Sequence, residues 1–202
     1  MGENKQNLFS RFKMIIGVCC IVAFIARFLG TRIWASAHTI IDNPTDQAIS
    51  FELDGKEYIL EPHTSEKISL KGGKHTLVYS GQTTHFEKKS FSLSDLGKDE
   101  IDYSIINPTE SVYIFYNEIY ISGNMSDEEI EKVLPKYECV DEEGNPDTCT
   151  EKYLNEVFIQ EKVNYGLDEQ LPETTSMSRG SKYALRSKLF RAADYLDYLE
   201  EE

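Results

Sequence analysis

The 202 residues carry 35 acidic against 21 basic side chains, a formal charge of −14, and 40% of them are hydrophobic, with twelve Tyr and ten Phe. That length holds one ordinary domain plus an appendage, or two small ones, and the apolar content excludes a chain that stays unfolded. The negative field repels phosphate backbones, which excludes nucleic acid as the expected partner and also keeps a folded body in solution.

Met14 to Ala26 form an unbroken apolar run preceded by Lys5, Arg11 and Lys13, the charge arrangement of a signal sequence or signal anchor. Phe28, Leu29, Ile33, Trp34 and Ala35 lengthen it toward the ~20 residues a bilayer core requires, with Arg27 snorkelling to the headgroups. The expectation is a cytoplasmic N-terminus at 1–13 and a transmembrane signal anchor at 14–35, which makes the membrane the first partner. Ala35, Ser36 and Ala37 offer the small-x-small pattern of a cleavage site, so a signal peptide ending near Ala37 stands as the alternative. The cationic stretch around Trp34 favours the anchor. The part beyond Ala37 is then expected in the periplasm or outside the cell.

From 38 to 121 the pattern is of short strands and turns, read as a small antiparallel β-sandwich. The echo of Ile40, Ile41, Asp42, Asn43, Pro44, Thr45 in Ile105, Ile106, Asn107, Pro108, Thr109 marks two strands leaving a sheet at an edge or corner, because proline cannot donate to a ladder. Asp54 and Gly55 predict a two-residue hairpin pairing Ile49 with Leu60, Phe51 with Tyr58 and Glu52 with Glu57. A second hairpin at Gly72 and Gly73 is expected to pair Ile68 with Leu77 and Leu70 with His75, and a third strand pair turns around Ser80, Gly81 and Gln82.

Asn43 to Ala48, the strand Ile49 to Leu53 closed by Asp54, Gly55 and Lys56, and the stretch Leu70 to Val78 together resemble the compact β-repeat called the PEGA domain, over about Asn43 to Gly81. The resemblance implies an extracytoplasmic β-sandwich concerned with surface structure or binding, without catalysis. Val112 to Ile121 follows as a strand apolar on both faces, as a covered central strand is. Its Tyr113, Tyr116 and Tyr120 are candidates for a binding surface.

Residues 122–202 are read as helix and loop. Ser126 and Glu129 form a capping box for a helix that stops at Pro135. Cys139 and Cys149 flank a turn-rich run and are expected to form a disulfide in an oxidising compartment. Tyr153, Leu154, Val157 and Phe158 have helical spacing, and 166–180 reads as a linker. From Ser181 onward, Leu185, Leu189, Leu196 and Leu199 make one helical stripe, a candidate docking helix for a protein partner.

No pair among His38, His63, His75 and His85 has metal-ligand spacing, and no nucleophile elbow or phosphate loop occurs. No catalytic residue, cofactor or metal is therefore expected; His75 is read as a hydrogen-bonded edge histidine. The expected fold class is mainly β, with an N-terminal transmembrane helix before the sandwich and an α-helical region after it. The expected role is a single-pass membrane protein acting by binding or by envelope or surface assembly. A soluble secreted or periplasmic binding protein, and an enzyme whose site is scattered along the chain, are the alternatives.

Overall fold

The computed structural model describes residues 37–90, 100–140 and 146–201, so the expected membrane segment at 14–35 lies outside the described residues. Among those described, no helix is long and apolar enough to cross a membrane. The fold is mainly β. In chain order its strands are β1 Ala37–Asn43, β2 Ile49–Leu53, β3 Lys56–Leu60, β4 Thr64–Ile68, β5 Gly73–Tyr79, β6 Gln82–Lys88, β7 Ile101–Ile106 and β8 Tyr113–Ile121. Helix α1 Asp127–Val133, strands β9 Tyr137–Val140, β10 Pro146–Cys149, β11 Lys152–Leu154, β12 Phe158–Val163 and β13 Tyr183–Arg191, and helix α2 Ala192–Glu201 complete it.

Three sheets stack in layers. The middle sheet has the order β12-β7-β1-β4, one outer sheet β3-β2-β5-β6, and the other β11-β8-β13; β9 and β10 form a separate ribbon. Successive residues of a strand point to opposite faces, so the adjacent isoleucines of β1 and β7 demand cover on both sides of the middle sheet. They receive it: Ile41 and Ile106 pack with Ile49, Phe51, Leu53, Leu60 and Leu77 of one outer sheet. Ile40 and Ile105 pack with Tyr113, Leu154 and Leu189 of the other. Helix α2 closes the far face of that second sheet, laying Tyr195 on Ile114 and Phe190.

The two halves repeat one connection scheme. In the first, β1 sits in the middle sheet, β2 and β3 pair in an outer sheet, β4 returns beside β1, and β5 goes back to pair with β2. In the second, β7, β8, β11, β12 and β13 take the same places in the same order. β1 and β7 are parallel neighbours, with Ile40 opposite Ile105 and Ile41 opposite Ile106. The halves are thus related by a pseudo-two-fold axis running along the strands, which flips the face and staggers equivalent residues by one position. Under that stagger Asn43 corresponds to Asn107.

The two asparagines confirm the correspondence bond by bond. Asn43 Nδ2 donates to Gln47 O at 2.8 Å and Glu61 O at 3.0 Å, and its Oδ1 accepts from Thr45 Oγ1 at 2.7 Å. Asn107 Nδ2 donates to Ser111 O at 2.9 Å and Glu156 O at 3.2 Å, and its Oδ1 accepts from Thr109 Oγ1 at 3.3 Å. Both side chains are fully buried. Each ties the turn that leaves the middle sheet to the chain just after the third strand of its own half.

The Asp54–Gly55 hairpin has the expected register, Ile49 with Leu60, Phe51 with Tyr58 and Glu52 with Glu57. Both turn residues have positive φ, 51° and 80°, as a primed turn requires. The third pair is also present as the β5–β6 hairpin, with Tyr79 opposite Gln82. Helix α1 carries the expected capping box, Ser126 Oγ accepting from Glu129 N while Glu129 Oε2 accepts from Ser126 N.

Several expectations are overturned. No hairpin forms at Gly72 and Gly73: β4 pairs with β1, the chain then crosses between sheets, and His75 faces Phe86 while Leu77 faces Leu53 and Thr84. A Cβ on Gly72 would press on Ser90, whose side chain would have to move. The two Asn-Pro strands lie at the centre of the middle sheet rather than at its edge, and their parallel pairing makes the stack not wholly antiparallel. The region 122–202 is not mainly helical, since it supplies β9 to β13 and completes both sheets of the second half. Tyr153, Leu154 and Phe158 stand on β11 and β12, and the helical stripe from Ser181 is split between β13 and α2. A spacing of four residues satisfies both the strand period of two and the helical period of 3.6, which is why Leu185 and Leu189 read as one helix face.

Candidate functional site

A groove of about 760 Å³ has walls that include Glu118, Ile119, Tyr120 and Ile121 of β8, residues 171–175, and Tyr198 of α2. Strand β8 positions it because β11 pairs only with Tyr113, Ile114 and Phe115, leaving 116–121 with a partner on β13 alone among the described residues. In the first half β3 covers the whole of β2. The difference lies in the connection: two residues join β2 to β3, whereas 122–151 join β8 to β11.

The segment 164–177 builds the opposite wall. Asn164 and Tyr165 donate from their backbone to Ser187 O on the outer edge of β13, and the chain then folds across the sheet until Pro172 O accepts from Tyr120 Oη at 2.6 Å. Lys188, 4% exposed, fastens it by donating Nζ to Gly166 O at 2.9 Å, Leu167 O at 3.0 Å and Glu169 O. Arg186 holds Thr175 Oγ1 and Ser176 O at 3.0 Å each.

Two carboxylates and two phenols give the groove its chemistry. Glu118 Oε2 accepts from Tyr116 Oη and Tyr198 Oη at 2.9 Å each, and Glu173 lines the rim. Neither lysine nor arginine lines it among the described residues, although Arg186 stands across the ladder from Glu118. Partial burial, then the neighbouring Glu118 charge, push the Tyr120 phenol up to about 12, so it stays protonated and donating. The arrangement suits a cationic or hydrogen-bonding ligand lying across aromatic faces.

Burial lowers the Lys188 ammonium to about 8 against the opposing pull of the Asp194, Glu169 and Asp168 carboxylates. Because the folded protein releases this proton before the unfolded chain does, the penalty for burying the charge is present below pH 8. It is relieved as pH rises from 8 toward 10.5. Stability from urea denaturation is expected to rise across that window by at most about 1.4 kcal/mol per pH unit, and the Lys188→Met variant should lose this rise.

The named tyrosines separate. Tyr120 lines the groove and Tyr116 stands beside it in a ring cluster with Phe190, Tyr195 and Tyr198. Tyr113 is wholly buried on the opposite face, its Oη donating to Asp42 Oδ2 at 2.8 Å, so it belongs to no binding surface. Of the proposed docking stripe, Leu189 is in the core at 0% exposure and Leu185 is half-buried on the strand. Leu196 and Leu199 point outward at 62% and 48%. Helix α2 uses Tyr195 and Tyr198, not its leucines, to reach the sheet.

Cys139 and Cys149 form the expected disulfide across the β9–β10 ribbon, with Cα atoms 5.9 Å apart. His75 is hydrogen-bonded, as expected, with Nδ1 2.6 Å from Asp54 Oδ2 and Nε2 2.9 Å from Lys71 O, but it stands on the inner strand β5 and not at an edge. Partial burial raises the Asp54 carboxyl, but the bonds from His75 and the Thr76 amide prevail and hold it below the usual carboxylate range. This pair ties the first hairpin to the 71–74 crossover, and the groove is in the other half. No cluster of three or more His, Cys, Asp or Glu placed to hold a metal occurs among the described residues, and the acidic run Asp141, Glu142, Glu143 lies outside them.

Sequence reading missed Glu118, Glu173 and Tyr198 as groove residues and the part-buried Arg191 as the partner of Asp42. Arg191 donates Nε and Nη2 to the two Asp42 oxygens at 2.9 and 2.7 Å, and Nη1 to Asp168 and Asp194 at 3.0 and 3.1 Å. The one sequence signal for this pair is an aspartate placed directly after Ile40 and Ile41. The chain matches no family model, no curated protein and no solved structure.

Proposed function

We propose that this chain is an anchored, extracytoplasmic binding protein: residues 14–35 hold it in a membrane, and the tandem β-sandwich beyond Ala37 presents the groove beside β8. The observation that carries the compartment is the Cys139–Cys149 disulfide, since such bonds persist where the surroundings are oxidising. The cation-flanked apolar run supports the anchor, and the resemblance of the first half to surface β-repeats agrees with a binding role. A groove with aromatic walls, polar groups and a strand edge unpaired among the described residues supports recognition over chemistry.

Protease protection on intact membranes combined with thiol labelling tests the topology. The body beyond Ala37 is expected to be cut from the non-cytoplasmic side while Cys139 and Cys149 resist maleimide until reduced. Protection from that side together with freely reactive thiols at those two positions would place the body in the cytoplasm. A mature mass beginning near His38 would replace the anchor with a cleaved signal.

A further inference from the structure

The register of the second half fixes which main-chain groups of β8 face outward. Ser122 N donates to Lys182 O and Ala192 N to Val112 O, and these positions continue the same ladder in which Glu118 faces Arg186 and Tyr120 faces Ala184. Hydrogen-bonded positions alternate along an antiparallel strand. The even-numbered residues therefore spend their N–H and C=O groups on β13, and Asn117, Ile119 and Ile121 direct theirs to the other side. Among the described residues no strand pairs with that side beyond Phe115; β9 touches it only through Tyr137, whose Oη accepts from Asn117 Nδ2 at 3.0 Å. Donors and acceptors spaced two residues apart thus follow this edge, and Ile119 and Ile121 bring theirs to the groove, with Glu118 and Tyr120 on the neighbouring positions.

We infer that an extended, lysine- or arginine-bearing segment of a partner polypeptide binds here as an added strand, pairing with Asn117, Ile119 and Ile121 while its cationic side chains meet Glu118 and Glu173. Main-chain pairing supplies affinity and the side-chain pockets supply selectivity. Charge complementarity chooses the occupant: the two lining groups that carry charge at neutral pH, Glu118 and Glu173, are carboxylates, in a chain of net charge −14, and the Tyr120 and Tyr198 faces suit a cation's long apolar stem. The volume of about 760 Å³ is in the range of sites that enclose a sizeable ligand. In the first half the equivalent edge of β2 is occupied by β3, so the site is peculiar to the second half.

This rests on the reading of the protein as a binding module and tests the ligand class separately from the anchor. The full chain in detergent or nanodiscs is titrated with a synthetic peptide alternating lysine with valine, its glutamate counterpart, and the lysine peptide N-methylated at alternate residues. Binding is read by hydrogen exchange at the Ile119 and Ile121 amides. The lysine peptide should slow exchange there, the other two should not, and Glu118→Gln with Glu173→Gln should weaken binding at least about tenfold. Glutamine still accepts from the tyrosines, so the fold is kept. Ile119→Pro removes one outward N–H without touching the β13 ladder, and it should abolish binding while leaving the Tyr120 amide protected. Equal binding of the glutamate peptide, no effect of N-methylation, or no protection at Ile119 each overturns the inference. So does a dimer whose own β8 edges are already protected, since a second copy would then be the occupant. Any of these with the body still found outside the membrane removes this ligand and leaves the anchored reading standing.

Discussion

Asp42→Ala is expected to destabilise the fold by about 3 to 5 kcal/mol, because it strips the partner from a largely buried guanidinium. Asp42 is 0% exposed and Arg191 16%. The aspartate lies on β1 of the first half and the arginine on β13 of the second, so the pair joins the two repeats through the middle sheet. Without Asp42, Arg191 keeps only the more exposed Asp168 and Asp194, at 62% and 45%, and the Tyr113 hydroxyl loses its acceptor. Burial is the largest cause raising the Tyr113 pKa and persists without Asp42, so ionising that phenol offers no relief. The measurement is urea denaturation followed by circular dichroism. A pair variant, Asp42→Leu with Arg191→Met, should recover most of the loss, since removing both charges removes the desolvation penalty as well. A single-variant loss below about 1 kcal/mol would show that the pair behaves as a solvated surface bridge.

The second large effect concerns the duplicated turns. Asn43→Ala and Asn107→Ala should each cost about 2 to 4 kcal/mol, as each leaves two or more main-chain carbonyls and amides without the side-chain partner that satisfied them. The losses should be similar, because the i+4 carbonyl, the i+2 hydroxyl and the carbonyl after the third strand are held alike by the two side chains. Asn→Asp at either position should be worse than alanine, since a carboxylate cannot donate to those carbonyls. A marked inequality would mean that the second half holds its turn by other bonds, and the equivalence of the halves would then be topological only. β1 and β7 are neighbours, so the double variant is expected to depart from additivity.

Duplication also explains where function can reside. Two copies fused through a shared sheet give a rigid body in which both central strands are covered, and a rigid body presents a groove without having to order it first. The halves differ at two connections, β2–β3 against β8–β11 and β4–β5 against β12–β13. A two-residue turn lets β3 run the length of β2, while the excursion through α1 and the disulfide-linked ribbon brings back a three-residue β11. The short β11 bares the end of β8, and the 164–177 segment clamped by Lys188 turns that bare edge into a groove.

Local chemistry was legible residue by residue. The Asp54–Gly55 register, the Ser80–Gly81 turn, the Ser126–Glu129 cap and the Cys139–Cys149 bridge depend on neighbours within about ten positions in the chain, as such turn and cap rules do. The adjacent isoleucines of β1 and β7 cannot share one face of a strand, yet the proline after each pair pointed to an edge or corner, and only the stacked sheets revealed that both faces are covered. What tertiary structure decided was partnership across long separations. Leu185 and Leu189 satisfy either period, and only pairing with β8 made 183–191 a strand. The order of the Asn-Pro strands, side by side and parallel at the centre, depends on two sheets packing against opposite faces of a third. Asp42 meets Arg191 across 149 positions, and Glu118 meets Tyr198 across 80; composition and periodicity carry no term for such contacts, because they arise only once the layers have closed.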